Sequence, residues 1–337
     1  MRAGRHDGRS GSGGLARLGF WLALGVCDTQ LLRLSSVVGR RGRCPSVQVQ
    51  LLGVRGSRPT PGAEFVRFGG NTSCVALAHD GECPTLILDA GTGLNRFRSG
   101  PDAPAFEGSI LLSHLHWDHV YGLPFFGAGD RPDAQVRLYM PEQGDAEDVL
   151  SQVMSPPHFP IRPSGLRGSW SFHGLAEGRT EIEGFDVLAR EIPHKGGRTF
   201  GYRISSGGCT IAYLSDHGPV ELGDGVDGNG AIHEAALALV SDVDLLLHDA
   251  QHTTAEFPAV RHFGHSTIDY AVALAREAKV RQLVLFHHDP ARTDDQLDEL
   301  ARHYAPRADE RHGGNASGMH VSTVIDVARE GAVYDLS

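Results

Sequence analysis

From Val47 onward, hydrophobic and polar positions sort into short runs with two different periods. "VQVQLLGVRG" alternates residue by residue and stops at a glycine, which predicts a strand with one buried face and a turn. "TSCVALAHDGECPTLILDAGTGL" holds two apolar runs around Asp80-Gly81, a hairpin, and leads into a glycine-rich loop from Asp89 to Gly93. "SILLSH", "EGFDVLAREIPH", "TFGYRIS", "CTIAYLSD", "DLLLHDA" and "RQLVLFHHDP" read as further strands. "AEDVLSQVM" and "DDQLDELARHY" have helical periods. "STIDYAVALAREAKV" is the clearest helix, with Ile268, Ala271, Val272 and Leu274 on one side and Ser266 placed to cap it. Strands dominate early, helices are interposed, and each half is expected to end in helix. This is an α/β pattern. No repeat and no linker divides residues 47–337, so they are expected to form one domain.

Residues 1–46 read differently. "MRAGRHDGRSGSGG" lacks any core-forming pattern, and the apolar run in "LARLGFWLALGVC" is too short to span a bilayer and has no A-x-A site after it. The expectation is a disordered or dispensable extension, with an export signal as the alternative. The formal net charge of -10 argues against a general nucleic-acid binder, which would show a basic face. The five cysteines are widely spaced and include no CxxC, so free thiols and a cytoplasmic location are expected, with no membrane partner.

The chemistry is concentrated in "SILLSHLHWDHVYGLPFF". Four side chains that prefer water, His114, His116, Asp118 and His119, follow an apolar run within six positions. In extended chain the side chains at i and i+2 point the same way, which puts His114 and His116 together as the strand ends. Crowded imidazoles and a carboxylate are costly to bury alone, and both are good zinc ligands. One loop cannot easily wrap all four around a single ion, so two adjacent ions fit better. Later apolar strands also end in His or Asp: His194, Asp216, His248 with Asp249, and His287 with His288 and Asp289. Any one of these alone is an ordinary strand-end polar residue. Four such ends after H-x-H-x-D-H point to a shared site.

Five stretches, "SHLHWDHVYGLP", "IPHKGGRTFGYRI", "YLSD", "GHSTIDYAVALAREA" and "LVLFHHDP", resemble the metallo-β-lactamase superfamily over most of residues 47–337. The nearest likeness within it is to ribonuclease Z and its phosphodiesterase-like relatives. The resemblance implies a four-layer αββα sandwich with two Zn²⁺ at one edge, Mn²⁺ or Fe²⁺ being alternatives that ligand type does not separate. Carried over by position, His114, His116 and His194 would hold one metal, Asp118, His119 and His287 the other, and Asp216 would bridge them. His288 is the alternative to His287. Asp118 and His265 would be the catalytic groups, the first orienting or deprotonating the attacking water and the second assisting the leaving group. Asp249 and His248 are expected behind the ligands or His265, and Asp89 as a brace for the metal loop. Relatives often pair as dimers, so a homodimer is implied.

One departure bears on the substrate. Ribonuclease Z carries a long tRNA-gripping arm between the "GYRI" strand and the bridging aspartate, whereas here only one strand and the turn "SSGG" separate them. The expected reaction is therefore hydrolysis of a small phosphodiester such as a cyclic nucleotide, with tRNA not the expected partner. The alternatives are a ribonuclease Z-like tRNA 3′ endonuclease, or a lactone or thioester hydrolase on the same site. Arg55, Arg58, Arg198 and Arg203 are candidate phosphate clamps, each with solvated surface arginine as the plainer reading. Trp117 reads as packing at the pocket lip, with base stacking as the lesser alternative, and His217 as a residue that reshapes the pocket.

Overall fold

The computed structural model describes residues 46–98, 103–304 and 323–337. Apart from Ser46, the expected extension over residues 1–46 lies outside them. The first sheet is built from β1 (Val47–Gly53), β2 (Cys74–His79), β3 (Leu86–Leu88), β4 (Glu107–Leu111), β5 (Gln135–Pro141) and β6 (Ser169–Leu175). The second begins with β7 (Gly178–Ile182), β8 (Phe185–Glu191), β9 (Phe200–Ser206), β10 (Cys209–Leu214), β11 (Leu245–Asp249) and β12 (Gln282–Phe286). Two late strands, β13 (Val324–Val327) and β14 (Val333–Leu336), complete one sheet each. Among the described residues the orders are β14-β1-β2-β3-β4-β5-β6 and β13-β12-β11-β10-β9-β8-β7.

Period two decides which layer each side chain joins. In β1, Val47, Val49 and Leu51 are buried between the sheets while Gln48 faces solvent. β2 is covered on both faces, so Val75 and Leu77 enter the inter-sheet core while Cys74 and Ala76 enter the core beneath the helices. Phe185, Val187, Tyr202 and Ile211 meet the first sheet from the second. Each fully buried side chain of this size contributes about 1.5–3 kcal/mol. Contact between the sheets, more than strand propensity, therefore holds the layers.

Helices cover both outer faces. α1 (Trp117–Val120) and α2 (Ala146–Ser151) set Val120, Ala146 and Leu150 against Ile87, Ile110 and Leu138 of the first sheet. On the second sheet, α3 (Glu234–Val240), α5 (Ile268–Glu277) and α6 (Asp294–Tyr304) place Leu239, Leu274 and Leu297 on Leu246 and Leu283. The short α4 (Phe257–Val260) precedes the loop that carries His265. The result is the expected helix–sheet–sheet–helix sandwich.

Four expectations need correction. The cap of α5 is Thr267, whose side chain accepts from the Tyr270 N–H, because the Ser266 hydroxyl is already donated to the His217 carbonyl at 2.6 Å. The halves do not both end in helix. β14 returns to pair antiparallel with β1, and β13 pairs in parallel with β12. The edge strands β6 and β7 escaped the sequence pattern because much of their surface is open to solvent, so alternation is blurred. Finally, Cys74 is a buried free thiol but Cys83 is disulfide-bonded, so uniformly free thiols no longer argue for a reducing compartment. No helix among the described residues is long and apolar enough to cross a membrane.

Candidate metal centre

The ends of strands from both sheets converge on one cluster. β4 stops at Leu111, and buried Leu112 and Ser113 lead into the loop carrying His114 and His116. α1 then begins at once and turns Asp118 and His119 back under that loop. His194 follows β8, Asp216 follows β10, and His287 follows β12. His287 adopts a left-handed conformation at φ +58°. Its ring lies so close to Gly56 that a Cβ there would sit 2.5 Å from Nδ1, so position 56 must be glycine.

Two donor sets share Asp216. His114, His116, His194 and Asp216 bring one ligand atom each to within 4.8 Å of one another, as do Asp118, His119, Asp216 and His287. For His119 and His194, a hydrogen bond behind the ring sets which nitrogen faces inward. His119 Nδ1 meets Asp89 Oδ2 at 2.7 Å, so it donates there and leaves Nε2 bare. That Nε2 lies 3.0 Å from Asp216 Oδ1 and 3.2 Å from Asp118 Oδ2. His287 Nε2 is 3.2 Å from both oxygens. In the other set, His194 Nδ1 donates to the Gly264 carbonyl at 2.6 Å. Its Nε2 then faces His116 Nδ1 at 3.2 Å and Asp216 Oδ2 at 3.5 Å. His114 Nε2, His119 Nε2 and Asp216 Oδ1 are buried without hydrogen-bond partners. Lone pairs facing lone pairs in a dry site need a cation between them, and these donor types suit zinc-like ions. The residues present fit a metal in each set.

The titration pattern has the same cause. Burial pushes His114 well below the usual histidine range, lowers His116, and takes His194 down to about 4, so all are neutral and ready to ligate. His119 goes the other way. Burial alone would lower it, but the carboxylates of Asp216, Asp118 and Asp89 outweigh burial and raise it well above its ordinary value. The same carboxylates would draw a metal cation to this nitrogen. Asp118 and Asp216 stay ionised for the converse reason: the surrounding histidines outweigh their burial.

Asp89 braces the loop as expected. At φ +56° it turns its carboxylate under β4, where it accepts from the Ser113 N–H at 2.7 Å, the Ser113 hydroxyl at 2.9 Å and the Tyr213 hydroxyl at 2.7 Å, besides His119. Asp89→Asn keeps the shape but sets an amide against these donors. Metal affinity should fall about 10–100-fold in a chelator competition titration. Unchanged affinity would show that Asp89 does not orient His119.

His265 stands over the shared carboxylate. Its Nδ1 is 3.0 Å from Asp249 Oδ2 and 3.8 Å from Asp216 Oδ2. Asp249 Oδ2 also receives the His217 and Ser266 N–H groups at 3.1 and 3.2 Å, while Oδ1 takes the Gln251 N–H. Asp249 could pair with His265 and His287 as a third ligand group, but its oxygens are already engaged by donors. It positions His265, whose remaining nitrogen is left for the cleft. Burial would lower His265, yet Asp249, Asp216 and Asp118 hold it up to about 9.

Other expected roles sort by contact. His288 turns away and meets the Ala328 carbonyl at 2.8 Å, leaving His287 in the cluster. His217 does not shape the pocket. It is fully buried between His248 at 3.0 Å and His233 at 2.8 Å, and His248 reaches the Asp249 carbonyl, not a candidate ligand. Arg55 is buried, with its guanidinium on the carbonyls of Gly69 and Arg292. Arg198 pairs with Glu191, and Arg203 binds the carbonyls of Leu239 and Ser241. Arg58 is exposed beside Ser57. Sequence reasoning missed Ser57. At φ +60° its N–H donates to Asp118 Oδ2 at 2.7 Å, and its hydroxyl accepts from Gln251. A backbone donor leaves no mark on residue type, so only the glycine-flanked turn hinted at it.

The cluster opens to solvent through a cleft of about 350 Å³, where Ser57, Leu115, Trp117 and His265 surround Asp118 and Asp216.

Residues 85–288, more than half of the chain, match the family described as "Beta-lactamase superfamily domain". The chain is 23% identical to a protein named ribonuclease Z from Natronomonas pharaonis, over 84% of this chain and 98% of that one. It is 29% identical to ribonuclease Z of Listeria welshimeri, over 67% of this chain and 85% of the other. Among solved structures, the metallo-β-lactamase fold protein YhfI of Bacillus subtilis aligns with a TM-score of 0.59 at 16% identity, covering 86% of this chain and 99% of that chain. A diphosphatase of the PhnP family and the human short-form tRNase Z each align at 0.58, with 20% and 21% identity; each alignment covers 86% of this chain, with 98% and 99% of the respective structures.

Proposed function

Given that the chain belongs to the β-lactamase superfamily and is a metal-dependent hydrolase, we propose that it cleaves a small phosphodiester, such as a cyclic nucleotide, with two divalent metal ions, zinc first among them. His114, His116 and His194 would hold one ion and Asp118, His119 and His287 the other, with Asp216 between them. When bound, two such ions supply water acidified to near neutrality and offset charge on the phosphoryl oxygens. The protein's own groups do the rest. Asp118, pinned by the Ser57 N–H, accepts a proton from the attacking water. His265, held by Asp249 and lining the same cleft, gives a proton to the departing oxygen.

The observation that carries the choice of a small substrate is the β9–β10 turn. Ser206 pairs directly with Cys209, and the link is Gly207-Gly208, both at positive φ. This is a two-residue hairpin turn, with no chain available there for a nucleic-acid-gripping arm. The net charge of -10 supports the same reading. The second reading, tRNA 3′ cleavage, is favoured by the names of the curated relatives. The proposal also takes residues 47–337 as the hydrolase domain, acting in the cytoplasm without a membrane partner and pairing as a homodimer.

The test is a side-by-side assay of the metal-loaded protein on bis(p-nitrophenyl) phosphate, cyclic nucleotides and a 3′-extended tRNA. Turnover of a small diester at a kcat/KM at least about 100-fold above that for the tRNA is expected. The reverse ranking would transfer the site to tRNA processing, and activity on lactones or thioesters alone would remove the phosphodiester reading.

A further inference from the structure

Immediately beside the metal cleft lies a second cavity of about 450 Å³, with an apolar floor and aromatic walls. Its floor is buried Val120, Leu123, Leu150 and Met154. Its walls are Trp117, Tyr121, Phe125 and Phe159, the last two meeting edge to face at 6.0 Å. Trp117, Tyr121 and Phe125 are 67%, 56% and 55% exposed, a concentration of bare aromatic surface that folding alone does not require. Gln152 and His158 add polar edges at the rim. The size falls in the range of small-ligand pockets.

Trp117 belongs to both cavities. It lines the metal cleft with Asp118 and Asp216, and it also lines the aromatic pocket with Phe125 and Phe159. Its place between the ligands His116 and Asp118 fixes that continuity in the chain itself. His265 lines the metal cleft but not the aromatic pocket. A phosphodiester whose leaving oxygen is directed to His265 would have its other, retained ester group free to lie over Trp117.

We propose that this pocket, floored by Leu150 and Met154 and walled by Trp117, Phe125 and Phe159, is a specificity subsite that receives a planar aromatic substituent, an aryl group or nucleobase, on the retained side of the scissile phosphodiester. The inference rests on the phosphodiesterase reading above. It adds what that reading leaves open: the class of group the enzyme prefers next to phosphorus. Planar groups stack on aromatic walls whatever their edge pattern, so the pocket selects an aromatic face and not one particular base.

The test keeps the leaving group constant. Methyl p-nitrophenyl phosphate and phenyl p-nitrophenyl phosphate both release p-nitrophenolate, and they differ only in the retained group. The metal-loaded protein and its F125A/F159A variant are compared on both, and phenylphosphonate and methylphosphonate are titrated as ligands that cannot turn over. The variant should lose about tenfold in kcat/KM on the phenyl ester and stay within about twofold on the methyl ester. Phenylphosphonate should bind the unmodified protein about tenfold more tightly than methylphosphonate, and the variant should lose that preference. F125L and F159L, which keep apolar volume but remove the aromatic faces, supply a second pair of variants if the double variant folds poorly, with the same split expected.

An equal fall on both esters, or no fall on either, overturns the subsite. So does a dimer that becomes monomeric in the variant while both esters fall together, since the patch would then belong to a second copy. If no diester is hydrolysed yet the phosphonate preference is present and lost in the variant, the phosphodiesterase reading fails and the aromatic subsite stands.

Discussion

The Asp216→Ala protein should hold no more than about one metal per chain and lose at least about 10³-fold in kcat/KM. Asp216 is fully buried just past the end of β10, and both of its oxygens are committed. Oδ1 faces Nε2 of His119 and His287 at 3.0 and 3.2 Å, and Oδ2 faces Nε2 of His194 and His114 at 3.5 and 3.7 Å. No other carboxylate belongs to both donor sets. Alanine removes the shared ligand and leaves two sets of neutral donors without the negative charge that draws cations between them. Losing several kcal/mol of charge stabilisation corresponds to the stated loss of rate. Metal content by mass spectrometry, read beside kcat/KM, checks both parts. Two metals retained with ordinary turnover would remove Asp216 from the role of bridge.

His265→Ala should behave in the opposite way, keeping both metals and slowing the reaction by about 10²–10⁴-fold. His265 reaches Asp249 at 3.0 Å and faces the cleft, but it is outside the two sets joined by Asp216. Its charge state offers a second readout. Buried carboxylates hold it up to about 9 in the metal-free site. Bound cations share those carboxylates and bring the value down from there. A group that donates a proton works only below its pKa, so the rate should fall as pH rises through that lowered value. The alkaline limb should therefore lie below about pH 9, and it should vanish in His265→Gln along with most of the rate. A full-rate variant with an unchanged pH profile would return His265 to a purely structural place at the start of the α5 segment.

How much of this was legible beforehand depends on whether a residue's job is written in its own side chain. His114, His116, Asp118 and His119 stand out because imidazoles and a carboxylate crowd the end of an apolar run, and His194, Asp216 and His287 because they terminate strands. The structure brings all seven together. Asp89 and Asp249 were legible as supports, though not the number of donors each satisfies. Ser57 was invisible because it works through a backbone N–H that every residue but proline has. His217 looked like a pocket residue by position, yet it bonds to His248 behind the site, where His248 was expected. Within the fold, α5 and the turn at Gly207-Gly208 followed from local pattern. The return of β14 to β1 could not, since Val47 pairs with Leu336 and nothing local encodes so distant a partner. The cap at Thr267 in place of Ser266 was decided by competition. Both hydroxyls can cap, and the tertiary fold had already engaged one of them.

A pair of metal ions joined by one aspartate defines the proposed site. This pairing is tested most directly by anomalous X-ray diffraction at the zinc absorption edge on crystals of the zinc-loaded protein. Two peaks are expected on either side of Asp216, about 3.5–4 Å apart, one beside His114, His116 and His194 and the other beside Asp118, His119 and His287. A single peak, or two peaks of which either lies away from Asp216, would contradict the pairing.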